Sequence, residues 1–224
     1  MQQMIGKMAR MFGMLIMLGF IIMIIAFVVG YNNSQVAADY FSATKMVRET
    51  TLLAERAHME STAQWLPYFK FLGLGLILGG IVMALRVIID ELKGAGTEVM
   101  ANLPKANRPA TPTAPWYGLM MPVVMMTGWV IFIVALVLAL GNAEVARDLF
   151  GNNGLPAIDA AGSGDALLLQ LQGLKEISGW LIPFKFFGIA TEFLAIAMGL
   201  ATIINILGKQ TEMIKSGIEI GRRS

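Results

Sequence analysis

Glu192 is the residue most out of place in this chain. It lies in a long apolar run, seven residues after Lys185, about two helical turns or ~10 Å deeper along the same segment. A carboxylate inside a bilayer costs about 3 kcal/mol unless it is protonated, paired or wetted. Two chemistries fit it: a proton or cation site inside a helical bundle, or a buried carboxyl hydrogen-bonded to Thr191, Thr202 or a neighbouring subunit. Lys185 itself has a counterpart, Lys70, and each is flanked by phenylalanines about one turn inside an apolar run. Their ammonium groups can snorkel toward a headgroup layer, or pair with an acid, which for Lys185 includes Glu192.

The second candidate chemistry is sulfur. The chain has 17 methionines, with Met1, Met4, Met8, Met11, Met14 and Met17 in helical spacing and the pairs Met120-Met121 and Met125-Met126 close together. Thioethers suit Cu(I), so Met120, Met121, Met125 and Met126 are the copper candidates. Methionine also fills irregular packing and builds adaptable docking faces, which is the plainer reading. The chain has no cysteine and one histidine, His58. Thiolate sites, disulfides and bis-histidine haem are thereby excluded from its own residues. No phosphate loop, nucleophile elbow or HExxH motif is present. The sequence therefore predicts no enzyme and no cofactor.

These residues must be positioned by membrane elements. The chain is 56% hydrophobic and only 14% charged over 224 residues, too few polar groups to coat a water-soluble globule. The net charge of +2 does not point to nucleic acid. Four apolar runs are each long enough to cross ~30 Å of hydrocarbon as helices: residues 11–31, 66–89, 117–140 and 181–207. The first has the look of a signal peptide, with Lys7 and Arg10 before it, but it exceeds the ~7–15 residues of a signal core and is expected to be a span.

The sequence repeats itself. Trp65-Leu-Pro-Tyr-Phe-Lys-Phe-Leu-Gly73 returns as Trp180-Leu-Ile-Pro-Phe-Lys-Phe-Phe-Gly188, and Val36-Ala-Ala-Asp-Tyr-Phe41 as Val145-Ala-Arg-Asp-Leu-Phe150. The predicted fold is an all-α integral membrane protein with four transmembrane helices, arranged as two tandem helical-hairpin repeats of the same orientation with helical outer loops. Residues 1–100 form the first repeat, 101–116 a proline-rich linker and 117–224 the second. The position matching Glu192 in the first repeat is Ile77, so no symmetric acid pair is kept.

Lysines and arginines gather before the first span, after the second and after the fourth, and acids crowd the other two connections. By the positive-inside rule both termini and the linker are expected in the cytoplasm; a bacterial inner membrane is the expected location. Trp65, Trp116 and Trp180 fall at span ends as interface anchors. Gly75 and Gly79 in the second span, and Gly188, Ala195 and Gly199 in the fourth, form small-residue strips that let helices approach closely. In the outer segments, Leu167, Leu171 and Leu174 make an apolar stripe, while Gly151–Gly154 and Gly162–Gly164 mark turns.

Three functions are compatible with this pattern. The first is a non-catalytic structural or accessory subunit of a membrane complex, with lipid and other membrane subunits or a second copy as partners. The second is a small transporter or channel using Glu192 and Lys185, and the third a methionine-based Cu(I)-handling accessory protein.

Overall fold

The computed structural model describes residues 11–101 and 115–223. Met1, Met4, Met8, Lys7, Arg10 and nearly all of the proline-rich linker lie outside the described residues. Among those described, every element is helical: α1 (Phe12–Ser42), α2 (Lys45–Thr50), α3 (Leu53–Ala101), α4 (Trp116–Asn152), α5 (Leu155–Ala160) and α6 (Ala166–Arg223). The chain is an all-helical protein with four long apolar helices of membrane-crossing length, α1, α3, α4 and α6.

The helices run well beyond the expected spans. The fourth span was expected over 181–207, yet α6 has 58 residues, about 87 Å at 1.5 Å per residue. The connections expected as outer loops are therefore largely continuations of the long helices, with short breaks and one six-residue helix in each. Local chemistry places those breaks. Ser42 Oγ donates to the carbonyl of Asp39 at 2.7 Å as α1 ends. Asn153 Nδ2 closes α4 by bonding the carbonyl of Leu149 at 2.9 Å. Pro156 sits in the first turn of α5, where its missing N–H is not needed. Gly164 takes a positive φ of 89°, a conformation that glycine alone adopts freely. Asp165 then caps α6 by accepting from the Leu167 amide at 2.9 Å.

Three long helices carry an internal proline: Pro67, Pro122 and Pro183. Each leaves one carbonyl of the preceding turn without its helical N–H.

The chain divides into two compact units, to which each long helix contributes. The first unit comprises Met1–Met17, Ile77–Gly128 and Ala190–Ser224, the second Leu18–Leu76 and Trp129–Ile189. In the first unit, glycines seat larger groups from neighbouring helices: Gly80 faces Ile16, Gly118 faces Thr202, and Gly199 faces Met121 and Leu85. Gln210 Nε2 donates to the carbonyl of Leu92 at 2.7 Å. In the second unit, Gly73 faces Ile22 and Met23, Gly30 faces Leu66, and Gly75 and Gly188 both face Phe132. Two apolar clusters complete that unit. One joins Ala57, Ala146, Leu149, Phe150, Ile158 and Leu174; the other joins Tyr68, Ala135, Ala139 and Leu181.

Candidate functional site

The polar residues singled out in the sequence fall in different surroundings. Glu192 is fully buried, and both its carboxylate oxygens lack a hydrogen-bond partner among the described residues. It shares a face of α6 with Ala195, Gly199 and Thr202, all buried. That face packs on glycines of α4. A Cβ at Gly128 would lie 2.7 Å from Glu192 Oε1 and 2.8 Å from Thr191 Oγ1; one at Gly118 would lie 2.7 Å from Thr202 Oγ1. The acid therefore sits on the same face as the small-residue packing strip. Thr127 and Thr202 donate to carbonyls of their own helix, Val123 at 3.0 Å and Met198 at 2.7 Å, as hydroxyls in apolar helices commonly do. Asn205 leaves its Oδ1 buried and unbonded.

Lys185 is half-buried with Nζ over three rings: Tyr68 at 5.0 Å, Phe71 at 4.7 Å and Phe186 at 5.6 Å. The ring faces supply the negative potential that an ammonium needs in such a place. Lys70 is also half-buried, but its Nζ lies 3.7 Å from where a Cβ of Gly30 would be. The tryptophan motif thus holds its two lysines in unlike settings.

The remaining candidates separate by exposure. Met121 and Met125 are buried whereas Met120 and Met126 are exposed, so the four sulfurs do not face one centre. Gly75, Gly79, Gly188, Ala195 and Gly199 are all buried, as a packing role requires. Trp116 and Trp180 are exposed and Trp65 is half-buried; Trp65 and Trp180 make near-identical edge contacts with Phe69 (5.7 Å, 68°) and Phe184 (5.6 Å, 66°). His58 is exposed.

Two features escaped the sequence reading. The first is a polar knot in the second unit. Asn142, almost fully buried, donates from Nδ2 to Gln64 Oε1 (2.8 Å), Ser178 Oγ (3.1 Å) and the carbonyl of Leu174 (3.3 Å). Ser178 Oγ donates in turn to Gln64 Oε1 at 2.7 Å. Three helices, α3, α4 and α6, are tied at one point. Beside the knot lies a cleft of about 440 Å³ lined by Glu60, Gln64, Leu171, Lys175 and Ser178 among others. The second is Trp129, whose indole Nε1 donates to the backbone carbonyl of Gly75 at 3.1 Å. The available signal was position alone: Gln64 and Ser178 stand just before the two motif tryptophans, and Asn142 follows directly on an apolar run.

Among the described residues no three histidine, aspartate or glutamate side chains converge as a metal-binding group would. No family model, curated protein or solved structure matches this chain.

Proposed function

We propose that this protein is a non-catalytic structural or accessory subunit of a larger integral membrane complex, built as two tandem two-span hairpins of like orientation. One observation carries the reading. The best apolar stretch of α1 is only 11% buried within the chain, against 44% for α3 and 33% each for α4 and α6. A helix so little covered by its own chain is held by lipid or by another protein. Its buried residues are only Gly19, Ala26 and Tyr40, with Ile16, Ile22 and Met23 reaching glycines of α3, while Met14, Met17, Phe20 and Phe27 face outward. The outward set mixes flexible thioethers with aromatic rings, the composition of an adaptable docking face.

The duplication has support at several levels. A long helix, a six-residue helix and a second long helix occur twice in succession. Gly73 and Gly188 close the two tryptophan motifs; Gly73 is met by Ile22 and Met23, and Gly188 by Ile131 and Phe132. Ile22 and Ile131 each precede the valine of the second motif, Val36 or Val145, by fourteen residues. Likewise Gly30 meets Leu66, and the matching Ala139 and Leu181 share one buried cluster. In both pairs the contact moves up one helix as it moves down the other, as an antiparallel hairpin requires. Basic residues at the ends and in the linker support, through the positive-inside rule, a topology with both termini in the cytoplasm; the proposed location is a bacterial inner membrane.

The test is partner capture. A photo-reactive amino acid at Phe27, activated in native membranes, is expected to cross-link a second polypeptide or another copy. Lipid adducts alone, together with a clean monomer after gentle detergent extraction, would remove the subunit reading.

One observation favours the second reading, a small transporter or channel: the buried, unbonded carboxyl of Glu192. Liposome flux with Glu192→Gln separates the two. Protein-dependent flux that disappears in the variant supports transport, and absence of flux from folded wild-type protein supports the subunit.

A further inference from the structure

The end of α1, with α2, the start of α3 and Leu155 of α5, encloses a second cleft of about 240 Å³ in the second unit. Its chemistry is unlike that of the rest of the acid-rich segment around it. Arg56 is only 7% exposed, with its guanidinium 4.4 Å over the ring of Phe150. Arg48 stacks near Tyr40 and Phe41, at 5.8 and 5.7 Å, and its Nε is buried without a hydrogen-bond partner. Among the described residues neither arginine is ion-paired. Lys45, the third cation of the cleft, is paired with Glu49 at 3.7 Å. Next to Leu155, Gly154 comes close to the backbone of Glu49: a Cβ there would lie 2.9 Å from the Glu49 carbonyl oxygen.

Burying an arginine without a paired carboxylate is expensive, because its charge is desolvated and, among the described residues, no ion pair offsets that cost. A guanidinium stacked on a ring keeps its N–H edge available, and that edge matches the oxygens of a phosphate in bidentate fashion. The lining charges also limit the ligand. Lys45, Arg48 and Arg56 against Glu49 and Glu60 leave one positive charge, which balances a singly charged phosphodiester better than a doubly charged phosphate. Met59 and Leu155 give the same cleft apolar wall.

We propose that Arg48 and Arg56 form a binding site for a singly charged phosphate ester, presented by a phospholipid headgroup or by a soluble phosphodiester. The full chain, purified in a neutral maltoside detergent and stripped of lipid, is titrated calorimetrically with three probes. Short-chain phosphatidylglycerol offers the phosphodiester on a lipid, glycerophosphoglycerol offers it free, and short-chain diacylglycerol offers the tails alone. Phosphatidylglycerol is expected to bind, diacylglycerol not, and affinity to fall as salt rises. Arg48→Gln and Arg56→Gln should each weaken binding at least tenfold. Because Arg56 is buried and its variant is at risk of misfolding, Arg48→Gln, checked by an unchanged melting temperature, carries the test alone if needed. Equal binding of glycerophosphoglycerol makes the ligand a soluble ester; binding of the lipid alone makes it a membrane component. The site is disproved if diacylglycerol binds as tightly as phosphatidylglycerol, or if a folded Arg48→Gln protein binds unchanged.

Discussion

Asn142 and Glu192 are both buried polar residues on long apolar helices, and the chain treats them in opposite ways. Asn142, in the second unit, spends its amide on Gln64, Ser178 and a backbone carbonyl, so three helices share one fixed point. Glu192, in the first unit, is enclosed against Gly128 with both oxygens unbonded. In an apolar medium a satisfied polar knot specifies register, because any slip strands several groups at once. An unsatisfied acid specifies nothing by bonding; it is tolerated because its neighbours are small. The lesson is that burial alone does not identify a working polar residue, since its hydrogen-bond partners decide its role.

The contrast can be broken most forcefully at the glycine. Gly128→Val should be the most damaging substitution, because the first added carbon already falls 2.7 Å from Glu192 Oε1. Overpacking of this kind costs about 1–3 kcal/mol, read as a lower unfolding midpoint in detergent. Combining it with Glu192→Ala should recover part of the loss. Asn142→Ala comes next, at about 1–2 kcal/mol. A double-mutant cycle with Ser178→Ala should be non-additive, since both changes undo one network; strict additivity would dissolve the knot as a unit.

A smaller effect is expected at the two motif lysines. Lys185→Met removes a cation from three rings and should cost about 0.5–1 kcal/mol, while Lys70→Met should cost less. Equal costs would mean that the rings around Lys185 contribute nothing. The smallest change is expected for Glu192→Gln. The amide keeps the volume and no observed hydrogen bond is lost, so melting temperature should stay within the measurement error. A large destabilisation would show that the carboxyl is held by a bond in the native protein.

Much of the helical framework was legible in the sequence, because hydrocarbon thickness sets a minimum run length that four segments meet. The turn at Gly162–Gly164 was legible for a related reason: one glycine there adopts a backbone that other residues avoid. What could not be read was the continuation of α3 and α6 past their apolar cores. Helical outer segments were expected, but hydropathy falls away at mixed residues such as Arg56, His58 and Glu60 and does not show that they continue the apolar helix without a break. The oddity of Glu192 stood out from its surroundings, but its partner, Gly128, is an unremarkable glycine 64 positions away. The knot was hidden for the same reason, as Gln64 and Ser178 are separated by 114 residues and neither is unusual alone. Pairing across helices depends on rotation about each axis, which no single run of residues encodes.

Pro67 and Pro183 occupy nearly the same place in the two tryptophan motifs, and each removes one rung from the ladder that stiffens its helix. The two long helices therefore each carry a weakened point at nearly the same position of the motif. Bending is made easier at these points, and a change in bilayer thickness or curvature is expected to be taken up there. The segments on either side are then free to keep their internal packing while the angle between them adjusts.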